Sequence, residues 1–305
     1  MLMVKDVVKV DNSSLKDDFI INMKDEKFKN LRNTINLSDD ILCKYTSLLN
    51  DAKDELDNCL NCKCLNNCKN SCPGYRYMPF VSDNGLIFGY KKCKYKEKFD
   101  NDNEYKDNID LFLVPSSLKN ASFKDIYTDD KSRAEVIKYI SYFKKNYFTD
   151  KKDKGLYLYG NFGSGKTYII AALLNELAKK DVKSAIIYFP EYLRDLKTSF
   201  NKDDSDLSFK EKYNYIKKVP VLLIDDIGAE NLTLWARDEI LGTLLQYRME
   251  ENLSTFFTSN LSLKELETHL SLTGGKVDVV KARRIIERIK YLTNEIKLVG
   301  LDRRK

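Results

Sequence analysis

Residues 160–167 read GNFGSGKT, which fits the pattern G-x-x-x-x-G-K-[ST]. This pattern works in one setting: a strand runs into a tight loop, and the loop opens a helix. There the loop N–H groups and the positive end of the helix converge on one anion. Both flanks fit. The apolar run LYLY (156–159) precedes the loop, and KTYIIAALLNELAKK (166–180) follows it with helical spacing of apolar residues. Gly160, Gly163 and Gly165 let the backbone fold into a cup, with Asn161, Phe162 and Ser164 completing it. Lys166 is placed to reach the β- and γ-phosphates of a nucleotide, and the Thr167 hydroxyl to bind Mg²⁺.

A phosphate loop needs a partner acid, and VPVLLIDD supplies one. Residues 221–224 are all apolar and read as a buried strand ending on Asp225 and Asp226, 59 residues after Lys166. At that edge Asp225 would meet Mg²⁺ through its water shell, and Asp226 would polarise an attacking water. STFFTSN (254–260) is a further strand with a polar end. Asn260 either reaches the γ-phosphate from the neighbouring strand or caps a helix starting near Ser262. Two strings suggest guanine instead: DDIG (225–228) and NKDD (201–204). The second precedes the first, the reverse of the order in GTPases, and lies in a charged surface stretch. ATP is the expected nucleotide.

From residue 111 onward, apolar runs alternate with helical stretches, and further helices fall at 132–147 and 233–250. This alternation predicts an α/β fold, a parallel sheet with flanking helices. The N-terminal part differs. Residues 13–58 read as helical, with Ile41, Leu42, Tyr45, Leu48, Leu49, Ala52 and Leu56 on one face. Cys59, Cys62, Cys64, Cys68 and Cys72 follow, and Cys93 lies in the strand-like GLIFGYKKCKY (85–95). Clustered cysteines in a chain expected to be cytosolic point to metal rather than disulfides. A polar stretch over 96–110 marks the domain boundary. The expected domains are 1–98, helical with the cysteine cluster, a linker over 99–120, and an ATPase domain over 121–305.

No apolar run approaches the roughly 20 residues of a membrane span, and the first residues do not form a signal peptide. A cytoplasmic chain with no membrane contact is expected. The formal net charge is +6, and residues 271–305 alone carry ten basic and four acidic side chains. A basic end suits phosphate, on nucleic acid or on a nucleotide in a neighbouring subunit.

Taken together, the phosphate loop, the apolar strand ending in two aspartates and the polar-ended third strand resemble the AAA+ ATPases. ASFKDIYTDDKSRAEV, YGNFGSGKTYIIAALLNELAKK, VLLIDDIGAE, FFTSNLSLKELETHL and KARRIIERIKYLTNEIKLVGLDRRK resemble, more closely, the bacterial replicative helicase loaders of the DnaI and DnaC type. The resemblance covers about 121–305, and the N-terminal region resembles the DnaI branch more loosely. It implies a protein that self-associates on the hexameric replicative DNA helicase and places it on single-stranded DNA. The N-terminal zinc domain would grip the helicase, and the AAA+ domain would bind ATP and DNA. It also implies a trans-acting arginine within ARRIIERI, Arg284 or Arg288. On a helix over about 277–290, Ala282, Ile285, Ile286 and Ile289 form one stripe, and both arginines fall roughly opposite it. Arg283 and Glu287, four apart, read as a surface ion pair. Arg303 and Arg304 fall where the family keeps further basic residues.

Family members can use a histidine on zinc, but the one histidine here, His269, lies in the ATPase half. The ligands would then be Cys59, Cys62 and Cys93, with Cys68 or Cys72 as the fourth. Three alternatives remain. An IstB-like ATPase assisting DNA transposition has a similar core but no reason for the cysteine-rich region. A small-molecule kinase needs a lid, and no clear lid appears over 181–219. A non-hydrolysing module has no use for Lys166, Asp225 and Asp226.

Overall fold

The structure is a computed structural model that describes residues 12–83, 85–128, 131–149, 153–199, 206–230, 232–272 and 277–302. The NKDD string lies outside these residues. The chain divides into two compact units, Met1–Glu104 and Tyr105–Lys305.

The first unit is helical with one hairpin. Its elements are α1 (Asn12–Asn22), α2 (Glu26–Asn33), α3 (Asp39–Leu42), α4 (Thr46–Leu60), β1 (Tyr75–Ser82), β2 (Gly85–Lys92) and α5 (Lys94–Asn103). Phe28, Leu31, Leu42, Leu49, Ala52 and Leu86 form its core. The expected apolar face over 41–56 is not continuous. A 3₁₀ turn at Cys43–Tyr45 separates α3 from α4, so Leu42 and Leu49 are buried while Ile41 and Leu48 reach solvent. The Glu55 carboxylate accepts from the N–H groups of Ser71 and Tyr77 and so ties α4 to the hairpin. Sequence reading did not find β1, because Pro79 interrupts it. Pro79 is tolerated because both strands of a two-stranded sheet are edges.

The second unit contains β3 (Ile109–Phe112), α6 (Lys131–Asn146), β4 (Gly155–Gly160), α7 (Lys166–Ala178), β5 (Ser184–Tyr188), α8 (Phe189–Ser199), α9 (Asp206–Lys218) and β6 (Val221–Asp225). A π-helical segment, Ala236–Leu241, then runs into α10 (Gly242–Glu250). The unit ends with β7 (Ser254–Ser259), α11 (Leu263–Ser271), α12 (Val279–Leu292) and β8 (Thr293–Leu298). The six strands pair in parallel in the order β3-β5-β6-β7-β4-β8. The stretch expected to be a linker, 99–120, is structured instead. Residues up to 103 finish α5, and Ile109–Phe112 form the edge strand β3 against β5. Ile109 is buried, which outweighs the polar residues around it.

Helices cover both faces of the sheet, so the inner strands β5 and β6 are mostly apolar and buried, while the edge strand β8 keeps polar residues. In β6, Leu222 and Ile224 face one core, and Val221 and Leu223 face the other. The expected stripe on α12 (Ala282, Ile285, Ile286 and Ile289) packs into the first core. Arg248 is fully buried in α10. Its guanidinium donates to the carbonyls of Ile216, Lys217, Val219 and Ser254 and to the Thr255 hydroxyl, joining the end of α9 to the start of β7.

Candidate functional site

In this strand order β6, β7 and β4 are neighbours, so their C-terminal ends meet at one edge of the sheet. The phosphate loop follows β4, the two aspartates end β6, and Asn260 follows β7. Such an edge is where parallel α/β sheets bind ligands. A cavity of about 600 Å³ opens there, lined by Phe162–Thr167, Asp225, Asp226, Thr258 and Asn260. Every sequence-predicted nucleotide residue except Gly160 and Asn161 lines it. Those two instead contribute carbonyls that hold Lys166.

Two glycines show why the loop needs them. Gly160 has φ +142°, and a Cβ there would lie 2.0 Å from the Leu298 carbonyl oxygen of β8. Gly165, at φ +83°, is the N-cap of α7. Arg133, buried on α6, braces the loop by donating to the Ser164 carbonyl at 2.6 Å.

The chemistry-bearing side chains form one network. Lys166 Nζ lies 2.9 Å from the Gly160 carbonyl, the Asn161 carbonyl and Asn260 Oδ1. Asn260 Nδ2 donates to Asp226 at 3.1 Å. The hydroxyls of Thr167 and Thr258 both donate to Asp225 Oδ1 at 2.6 Å. Burial pushes both aspartates up from the usual carboxylate range. The two threonine donors pull Asp225 back, and the Lys166 charge pulls Asp226 back. A hydroxyl and a carboxylate oxygen in contact at the mouth of a phosphate cup suit Mg²⁺, a hard cation that takes oxygen ligands.

The capping alternative for Asn260 fails. Ser262 caps α11 in a capping box with Glu265, which leaves Asn260 to the site. Asp226 sits at φ +58°, a left-handed conformation that aspartate adopts more readily than most residues. Thr258 holds that turn, accepting from Asp226 N through its hydroxyl and from Ile227 N through its carbonyl.

Both arginines of α12 are expected opposite the apolar stripe, away from the domain's core, but their surroundings differ. Arg288 is half-buried and donates to the Gly242 carbonyl of α10 at 3.0 Å. Gly242 has no side chain, which leaves room for the guanidinium. Arg284 is exposed and makes no hydrogen bond or ion pair among the described residues. Arg283 pairs with Glu267, and Glu287 with Lys290, so the expected Arg283–Glu287 pair does not form. Lys281 is occupied by Asp238. Lys276, Arg303, Arg304 and Lys305 lie outside the described residues.

In the first unit, Cys59, Cys62, Cys68 and Cys93 line one cavity of about 630 Å³, and Cys72 does not. The Cys72 carbonyl instead caps the turn into β1 by accepting from Tyr75 N. The thiols are engaged separately. Asn70 Nδ2 donates to Cys59 Sγ, Gly74 N donates to Cys68 Sγ, and Cys62 donates to the Cys64 carbonyl. Burial pushes the Cys59 thiol up. As placed, the thiols do not support zinc. Among the described residues no group of three or more His, Cys, Asp or Glu side chains is arranged to hold a metal ion.

No helix among the described residues is long and apolar enough to cross a membrane. The sequence-predicted residues missed two contributors to the site, Arg133 and Thr258. Both stand in stretches singled out in the sequence, but only the fold shows that these two side chains reach the site.

The chain is similar to known proteins. Residues 118–300 match the family described as IstB-like ATP binding protein. The Bacillus subtilis (strain 168) protein named replicative helicase loader DnaI is 40% identical over 252 residues, covering 82% of this chain and 80% of that one. A crystal structure of DnaI is 45% identical with a TM-score of 0.57, covering 66% of this chain and all of the other. A solved structure from Streptococcus pyogenes serotype M3 is 36% identical with a TM-score of 0.55, covering 66% of this chain and 97% of the other. The match to the helicase loader extends well beyond residues 118–300, which disfavours the transposition alternative. The chain belongs to the IstB-like ATP binding proteins and, among them, to the replicative helicase loaders of the DnaI type.

Proposed function

We propose that this protein is a cytoplasmic, ATP-hydrolysing loader that places the hexameric replicative helicase on single-stranded DNA. One observation carries the enzymatic part: Lys166, Thr167, Asp225, Asp226 and Asn260 meet in a single hydrogen-bonded network at the phosphate cup. Lys166 would neutralise the β- and γ-phosphates, and Asp226 would accept hydrogen-bonding from the attacking water. Asn260, which bridges Lys166 and Asp226, would fix where that water stands. Thr167 and Asp225 would hold Mg²⁺, which screens phosphate charge when bound.

Arg284, exposed and uncommitted, is the better candidate to reach the nucleotide of a neighbouring copy. Its planar guanidinium stays charged and fits phosphate oxygens. Partner and DNA are assigned by likeness to the DnaI-type loaders, and the basic α12 region supports the DNA assignment. The direct test is a pull-down with the host's replicative helicase. Recovery of the helicase that changes with ATP supports the proposal, and no recovery in either condition contradicts it.

The proposal includes a zinc ion in the first unit. It rests on four thiols sharing one cavity, two of them already accepting N–H donors of the kind that orient thiolate ligands. Cys62 must release the Cys64 carbonyl for Cys59, Cys62, Cys68 and Cys93 to close on an ion. Elemental analysis of protein produced with adequate zinc should find one zinc per chain, lost in Cys68→Ser and kept in Cys72→Ser. Metal-free protein from such a preparation removes the assignment.

A further inference from the structure

We infer that Glu230 is a positioning residue for hydrolysis: its buried carboxylate folds the loop after β6 so that Asp226 is presented to the phosphate site. This deepens the ATPase reading and rests on it.

The loop reverses direction within a few residues, with Asp226 at φ +58° and Gly228 at φ +93°. Its near side is pinned to β7, where Thr258 takes the N–H groups of Asp226 and Ile227 and Ser259 donates to the Ile227 carbonyl. Its far side is held by Glu230. Both carboxylate oxygens accept from Gly228 N, at 3.1 and 3.3 Å. The backbone carbonyl of Glu230 is in turn fixed to α11, 2.9 Å from His269 Nε2.

Burial makes this arrangement more than a local turn. Glu230 is 8% exposed, and among the described residues no lysine or arginine pairs with it. A buried carboxylate without a cation depends on its hydrogen bonds, and here the donors belong to the Asp226 loop itself. Loop and side chain therefore hold each other in place.

The charged and titratable groups set against Glu230 are Asp226 on the same loop, Tyr157 on β4 and His269 on α11, which meets its backbone carbonyl. The Asp226 charge opposes ionisation of Glu230. Burial pushes the Glu230 carboxyl up to about 7, and the loop N–H groups pull against that shift. The ionised form accepts stronger hydrogen bonds than the neutral one. Above neutral pH the loop should be held more firmly.

The test measures ATP turnover against pH, together with nucleotide affinity, for the full-length wild type, Glu230→Gln and Glu230→Ala. Glu230→Ala should lose about tenfold or more in kcat while ATP affinity stays within about threefold, the signature of a lost transition-state contribution. Glu230→Gln keeps the shape and one acceptor. It should match the wild type at acid pH and lack the wild type's rise in kcat through neutrality. Either variant having wild-type kcat at every pH overturns the inference. So does a loss of ATP affinity in proportion to kcat, which would mark a general structural role. If Glu230→Ala does not fold, the Glu230→Gln profile decides alone. Absence of turnover in the wild type overturns the ATPase reading and this inference with it.

Discussion

Lys166→Ala should lower ATP affinity by at least about 100-fold, which corresponds to about 2.7 kcal/mol. Lys166 is 8% exposed, and its ammonium is aimed by three acceptors at 2.9 Å into the mouth of the phosphate cup. Charge at such a position acts through less solvent than on an open surface, so its attraction for phosphate is weakly screened. Alanine removes that charge and leaves Asp226 facing incoming phosphate without a neutralising partner. The melting temperature of the free protein should change little, because losing the ammonium's three contacts is offset by relief of its desolvation. A fluorescent ATP analogue titrated in Mg²⁺ reads the result. Affinity unchanged within error would remove the phosphate-site assignment.

The second large effect should come from Arg284. Arg284→Ala should lower turnover by about 10³-fold, in the range of arginines that stabilise phosphoryl transfer from a neighbouring subunit. ATP affinity should be nearly unaffected. Arg288→Ala should be milder, because that guanidinium is committed to the Gly242 carbonyl. Burial and the adjacent Arg284 charge already hold Arg288 below the ordinary arginine value. Mixing inactive Arg284→Ala with inactive Lys166→Ala protein distinguishes the two modes of action. If the arginine works in trans, some interfaces in mixed assemblies pair an intact loop with an intact arginine, and turnover partly returns. No recovery in assemblies shown to be mixed would mean that Arg284 acts within its own chain or has no role.

How much of this was legible in the sequence depended on whether the chemistry is local. GNFGSGKT and the run ending on Asp225 and Asp226 are readable because each is a contiguous stretch whose function needs its neighbours. The apolar stripe of α12 is readable because helical period alone defines it. Asn260 was ambiguous because a polar residue before a helix suits both a cap and a site. The Ser262–Glu265 capping box resolves it. Other features depend on residues far apart in the chain. Strand β3 is only four residues long, and its pairing with β5 creates the burial that makes it a strand. Arg248 and Glu230 look like ordinary charged residues in sequence, and only the fold buries them. The contact of Arg288 with Gly242 has the same origin. A helical wheel shows the face opposite the stripe, but not that Gly242 of another helix leaves a space there.

The claim that this protein loads the helicase in an ATP-dependent way is tested most directly by counting helicase rings on circular single-stranded DNA. Purified replicative helicase is incubated with the DNA, with or without this protein, and the DNA-bound fraction is isolated and quantified. More helicase should be bound when the protein and ATP are both present, and Lys166→Ala and Asp226→Asn should each reduce that gain. Helicase loading that is the same with and without the wild-type protein would contradict it.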